Sequence, residues 1–262
     1  AFEYCSALTG VYITNLRAWC NIVFEAYTAN PLTYAQKLYI NGKLVTDIVI
    51  PGGITNIGDF AFYKYSPLVS VTVSNSVESI GTKSFYGCDG LLSISALNNV
   101  KSIGEEAFYS CKSLSSVTFG DGLTDIGKYA FYGCGGLSSI KIPDSVINIG
   151  NYAFSKCVGI ESVTIGDGVE NVGDYAFSGC TGVKTVILGN NMKRISMRAF
   201  ENCTSLVSIT IPFGVTSIYN YAFYNCTSLK NVTMPDSVTN IYNYAFYNCT
   251  SLSSIVIPAS VT

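Results

Sequence analysis

Ten cysteines are the residues whose chemistry has to be settled first. Eight of them, Cys88, Cys111, Cys134, Cys157, Cys180, Cys203, Cys226 and Cys249, stand 23 residues apart. Thiols in such numbers suggest disulfides, a zinc site or a nucleophile. The sequence has no Cys-x-x-Cys pair and no histidine, so a tetrahedral zinc site lacks ligands. The missing histidine also excludes every triad or dyad that works through imidazole. A register repeated this strictly points to one inward-facing position, where cysteine packs as a small apolar side chain. Stacked equivalents have parallel Cβ vectors, a poor geometry for the torsion a disulfide needs. Free, structural thiols are therefore expected.

Other chemistry is sparse. Glu105-Glu106 is the adjacent carboxylate pair, but neighbours on a helical turn do not face each other, so no acid/base couple is expected. Gly-Asp-Gly at 120–122 and 166–168 resembles calcium turns, yet each supplies few ligands and an ordinary β-turn explains it. Lys184, Lys193, Arg194 and Arg198 cluster in one stretch, which reads as a solvated edge. A net charge of −2 provides no basic field for nucleic acid. No apolar run is long enough for a membrane span. No catalytic, cofactor-binding or metal-binding residue is assigned.

The cysteines belong to a larger pattern. Phe62, Phe85, Phe108, Phe131, Phe154, Phe177, Phe200, Phe223 and Phe246 recur every 23 residues without a slip. Cysteine follows each by three, except that Tyr65 takes its place in the first copy. Leu, Ile or Val follows by six, as at Leu137, and further apolar residues come at Ile140, Ile142, Val146 and Ile149. The segment Leu-x-x-Ile-x-Ile alternates and is rich in β-branched residues, which predicts a short strand. Pro143, Pro212, Pro235 and Pro258 end such strands because proline cannot donate to a ladder. A turn follows, and Gly150 then opens a short helical turn through Ala153, Phe154 and Cys157. One such unit buries too little to offset the entropy of ordering its backbone, so neighbours must stack. The predicted fold is a repeat solenoid of the leucine-rich-repeat kind. Short parallel β-strands line one face and short helical turns lie opposite.

Residues 1–262 read as a single solenoid. Phe2, Cys5, Leu8, Val11 and Ile13 keep the register, so the chain enters and leaves partway through a unit and reads as a fragment of a longer array. Residues 14–44 are an irregular insertion. Leu38–Val45 within it forms a β-hairpin around Asn41-Gly42, where the turn needs positive φ. Trp19 lies in its irregular part, which is either packed or a protruding contact element.

The unit Ala-Phe-x-x-Cys-x-x-Leu-x-x-Ile-x-Ile-Pro-x-x-Val-x-x-Ile-Gly, nearly whole from Ala130 to Gly150, resembles the BspA-like leucine-rich repeats. The insertion, with its Trp-Cys and Leu-Tyr-x-Asn-Gly segments, is also similar to one found in such proteins. The family consists largely of surface or secreted proteins of anaerobic bacteria and some protist parasites. The resemblance therefore implies a cell-surface or secreted, here bacterial, adhesion module whose partners are host extracellular or neighbouring-cell proteins or glycans. It carries over no binding residues, since the motif positions are core ones.

Two surface rows remain as candidates. Ser70, Ser93, Ser116, Ser139, Ser162, Thr185, Ser208, Asn231 and Ser254 form a hydroxyl-rich row on the strand face. Tyr219, Tyr221, Tyr224, Tyr242, Tyr244 and Tyr247 crowd the last two full repeats, with Tyr86, Tyr109, Tyr129 and Tyr132 as a thinner continuation. Tyrosine offers a large rigid contact with a polar tip, so those six are the candidate partner-binding residues. The expected function is a non-catalytic adhesion module. The alternatives are a passive stalk, or an accessory region of an enzyme whose catalytic domain lies outside this chain.

Overall fold

The computed structural model describes residues 2–262. Ala1, the first residue of the expected array, lies outside them. The chain winds through about ten turns of a parallel-strand solenoid, the fold class that the spacing predicts. On the strand face, Asp47–Val49, Ser70–Thr72, Ser93–Leu97 and Ser116–Phe119 pair in parallel. Ser139–Ile142, Ser162–Ile165, Thr185–Ile187, Ser208–Thr210 and Asn231–Thr233 pair likewise. The register couples residues 23 apart, as in Ile140↔Val163, so equal offsets become vertical columns.

The two groups of strands adjoin without a shared ladder. One rung earlier the ladder is irregular. Ser93–Leu97 carries an extra residue, Ala96, in the left-handed region at φ 64°, which acts as a bulge and shifts Phe119 into register with Leu97. Phe119 then meets Phe131 edge-on, with ring centroids 5.7 Å apart. The split opens a groove of about 460 Å³ lined by Ser116, Thr118, Lys141 and Thr164.

A second ladder of two-residue strands runs from Asn56–Ile57 to Asn171–Val172, with one pair per turn. Glycine follows each pair. A Cβ on Gly150 would stand 2.5 Å from the Lys128 nitrogen of the turn below, so the backbones approach too closely there for a side chain. Ser196 occupies the equivalent place one turn beyond Gly173. There the ladder stops, and it resumes at Arg194–Ile195. The Ser196 hydroxyl donates to the Val172 carbonyl across the break.

The segment around each phenylalanine is tighter than a helical turn. Residues two before and two after each Phe are left-handed, such as Tyr129 (φ 57°) and Gly133 (φ 71°) around Phe131. Left-handed backbone costs a non-glycine residue about 1–2 kcal/mol. It is offset because the amides then point at the next turn. Tyr129, Phe131 and Gly133 donate to the carbonyls of Asn151, Ala153 and Ser155 at 2.9, 2.7 and 2.8 Å. A helix would have spent those amides within its own turn.

Inside, the phenylalanines form one column with ring centroids 5.1–5.6 Å apart. The cysteine column is buried beside it, and each thiol donates to the phenylalanine carbonyl of the preceding turn, as Cys134 does to Phe108 at 3.1 Å. Among the described residues the helices, Leu16–Cys20, Tyr27–Ala29 (3-10) and Leu32–Ala35, all lie in the insertion. Leu38–Ile40 pairs in parallel with Val11–Ile13 and antiparallel with Lys43–Leu44, which makes the hairpin.

The insertion packs against the first phenylalanine turn. Trp19 is buried and its indole nitrogen donates to the Ala61 carbonyl at 3.0 Å. The Asn30 amide donates to Phe60 at 2.7 Å and to Ala61 at 3.3 Å. In later turns the carbonyl before each phenylalanine accepts from the turn below; here side chains supply the donors. The same geometry explains Tyr65. A cysteine there would find no Phe62-like carbonyl beneath it, whereas the longer phenol reaches the Val45 carbonyl and the Leu38 amide.

Candidate functional site

The buried thiols are not poised for reaction. Burial pushes Cys20 and Cys180 up to about 12 and Cys249 up to about 11. Cys88, Cys134, Cys157 and Cys203 are raised well above 9.0 for the same reason. The nucleophile is the thiolate, so these sulfurs are inert near neutrality. All ten cysteines are free, and Cys5 alone is exposed. Alkylating the folded protein without reductant should therefore label Cys5 quickly, and the other nine only after denaturation. Intact-mass spectrometry reads this directly, and fast native labelling of several thiols would overturn the buried column.

The carboxylates are occupied elsewhere. Glu105 faces Lys128 at 3.9 Å and Glu106 faces Lys83 at 3.3 Å, so the adjacent pair diverges. Asp144 accepts from the Asp167 amide and Asp167 from the Asn190 amide, each bracing the next turn. Among the described residues no group of three or more Cys, Asp or Glu could hold a metal ion.

Of the six candidate tyrosines, Tyr221, Tyr224, Tyr244 and Tyr247 form one cluster and Tyr219 and Tyr242 a separate stacked pair. Tyr219 stacks on Tyr242 and Tyr221 on Tyr244, each pair at 5.0 Å, while Tyr224 stacks on Tyr247 at 5.2 Å. Tyr221 also meets Tyr224 edge-on at 5.5 Å, which joins two of the columns. Tyr244 and Tyr247 are each 54% exposed.

This cluster is one end of a longer stripe. Tyr63, Tyr86, Tyr109 and Tyr132, each one residue after a phenylalanine, stack at 4.7–4.9 Å. Ser155, Ser178 and Glu201 then replace tyrosine in that column. The stripe shifts to the column two before the phenylalanine. Tyr129 hands over edge-on from Tyr132 at 5.6 Å, then Tyr129, Tyr152 and Tyr175 stack at 4.7 and 4.4 Å. Arg198 fills the next place, its guanidinium carbon 5.5 Å from the Tyr175 ring and 4.3 Å from the Tyr221 ring. Cation–π attraction holds it there. Its charge is met by Glu201 at 2.7 Å, whose other oxygen accepts from Ser178. Desolvation raises Tyr63 and Tyr152 to about 12 and also raises Tyr86 and Tyr109, so these phenols stay protonated as donors.

The family model for the BspA-type leucine-rich repeat region matches residues 33–161 and 147–262, with six copies. The chain belongs to the BspA-type leucine-rich repeat family. Among solved structures, the leucine-rich repeat protein of T. pallidum is similar at 26% identity and a TM-score of 0.56, covering 71% of this chain and 78% of that one. A leucine-rich repeat protein from Bacteroides ovatus shares 29% identity with a TM-score of 0.44, over 79% of this chain and 77% of that one. A leucine-rich cell surface protein from Faecalibacterium prausnitzii shares 25% identity with a TM-score of 0.44, over 94% and 82%. A search of the curated proteins found no match. No helix among the described residues is long and apolar enough to cross a membrane.

In this BspA-type array the strand face is less aromatic. Ser116, Ser139, Lys141 and Ser208 are exposed, and Ile187 stands 62% exposed among them. Sequence reasoning missed Tyr152 and Tyr175, which carry the stripe from Tyr129 to Arg198, and placed Arg198 at a solvated edge. The signal that could have found them is the complementary gap: where Ser155 and Ser178 replace tyrosine in one column, tyrosine stands in the other. Lys184 does sit at an exposed edge, paired with Glu161 at 3.0 Å.

Proposed function

We propose that the chain is a non-catalytic recognition module of a surface or secreted protein and that it docks a host extracellular protein through the tyrosine stripe. The observation that carries this reading is the braced cluster of half-buried Tyr221 and Tyr224 under the more exposed Tyr244 and Tyr247, stacked in two columns joined edge to face. Rigid, amphipathic rings already held in place lose little entropy on binding, and tyrosine is enriched among residues that dominate interface energetics. The stacking also bears on the kind of partner. Ring faces turned toward one another leave edges and hydroxyls for the partner, which suits a protein surface better than a sugar seeking a ring face. Surface placement rests on the family.

The test sets two variants side by side against extracellular-matrix proteins and glycans. One changes Tyr221, Tyr224, Tyr244 and Tyr247 to Ser; the other changes Ser116, Ser139 and Ser162 to Lys. The first should weaken binding by roughly tenfold or more, since a truncated hot-spot side chain costs about 2 kcal/mol. The second should leave it within about twofold, and salt should matter little at a net charge of −2. Loss confined to the lysine variant moves the site to the strand face, and no binding by the parent protein favours the spacer reading.

A further inference from the structure

The stripe stacks phenol rings face to face across successive turns. Neighbouring rings lie within 4.4–5.2 Å and nearly parallel along Tyr27–Tyr63–Tyr86–Tyr109–Tyr132 and along Tyr129–Tyr152–Tyr175. The same holds for the three pairs Tyr219–Tyr242, Tyr221–Tyr244 and Tyr224–Tyr247. We infer that the tyrosine stripe is a site of oxidative cross-linking, at which a haem peroxidase supplied with hydrogen peroxide joins tyrosines of adjacent turns as dityrosine.

The step balances. Each of two phenols gives up one electron and one proton to the oxidant and becomes a phenoxyl radical. The radicals couple through the ring carbons next to oxygen, forming one carbon–carbon bond. Each of those carbons then loses its hydrogen to the adjacent oxygen as the ring regains aromaticity. One hydrogen peroxide takes the two electrons and two protons and leaves as two waters.

The geometry favours this fate over others. Tyr27, Tyr244 and Tyr247 are 47%, 54% and 54% exposed, so an oxidant can reach both stretches of the stripe. A radical formed there meets another phenol before it meets a buried thiol, because the cysteine column lies inside the turns. Arg198 divides the stripe. A guanidinium cannot become a phenoxyl radical, so Tyr175 and Tyr221 have no partner in each other. A bridge between turns would staple neighbours in a fold whose stability is a sum of neighbour contacts.

Trypsin separates the stacked residues, since Lys101 lies between Tyr86 and Tyr109, Lys141 between Tyr129 and Tyr152, and Lys230 between Tyr221 and Tyr244. After treatment with peroxidase and hydrogen peroxide, the monomer band should yield cross-linked peptides joining Tyr86–Tyr109, Tyr109–Tyr132, Tyr129–Tyr152, Tyr152–Tyr175, Tyr221–Tyr244 and Tyr224–Tyr247. None should join Tyr175 to Tyr221. The double variant Tyr109→Phe/Tyr152→Phe keeps the rings stacked and should unfold like the parent, yet it should lose the first four bridges and keep the last two. Dityrosine found only between separate chains, bridges that cross Arg198, or a parent protein that forms none would each overturn the inference.

Discussion

Phe131→Ala is expected to cost about 3–5 kcal/mol, the range for removing a large buried aromatic side chain. The ring is fully buried, lies 5.1 Å from Phe108 and 5.2 Å from Phe154, and receives the edge of Phe119 at 5.7 Å. Its removal leaves a cavity with rings above, below and beside it, and the amides that tie Phe131 to its neighbours resist collapse of the backbone into the space. Because each turn is stabilised by its neighbours, a gap in mid-array also weakens the coupling between the two halves. Phe154→Ala, equally enclosed between Phe131 and Phe177, should cost a similar amount. Ser139→Ala, on the open strand face, should stay within about 0.5 kcal/mol. Urea denaturation of the three variants gives the ranking. An equal cost at Ser139 and Phe131 would mean that the faces have been inverted.

Alkali should unfold the protein steeply between about pH 9 and 12. Cys180 is held at about 12 when folded, against 9.0 when free. Above pH 9 the unfolded chain therefore loses protons that the folded chain retains, and stability falls with rising pH until the folded value is reached. Each tenfold difference in ionisation is worth about 1.4 kcal/mol, so Cys180 accounts for roughly 4 kcal/mol by pH 12. Cys88, Cys134, Cys157 and Cys203 act in the same direction, as do Tyr63 and Tyr152, both raised to about 12. Domain stabilities of about 5–15 kcal/mol cannot absorb several such contributions, so the native state should be lost before the window closes. Thermal unfolding followed across the range measures this. The variant Cys134→Ala/Cys157→Ala/Cys180→Ala should start less stable near neutrality but show a shallower slope. A parent protein with level stability from pH 9 to 11 would sink the claim.

Much of this architecture is legible in the sequence. A period of 23 residues held over nine phenylalanines means that every turn meets a copy of itself above and below. Equal offsets must then become columns, so the phenylalanine, cysteine and leucine positions could be placed in the core and the serine row outside. The crowding of the six C-terminal tyrosines was legible for the same reason. The parallel register of the strands follows too, because a chain advancing one turn per repeat returns each strand in the same direction.

What the tertiary structure alone decided lies in the contacts between columns. Spacing cannot show that the amides beside each phenylalanine reach for the next turn, and that choice replaces a helical turn with paired left-handed residues. Nor can it show that Trp19 and Asn30 supply donors for the first turn, because the insertion has no period to read. The lateral shift of the tyrosine stripe rests on ring contacts between columns, with Tyr132 meeting Tyr129 edge-on where the stack changes sides. Arg198 was counted as a surface cation, yet two flat rings and one carboxylate draw it into the stack. A repeat determines which residues share a column, while the shapes and hydrogen bonds of neighbouring columns determine where each side chain finally rests.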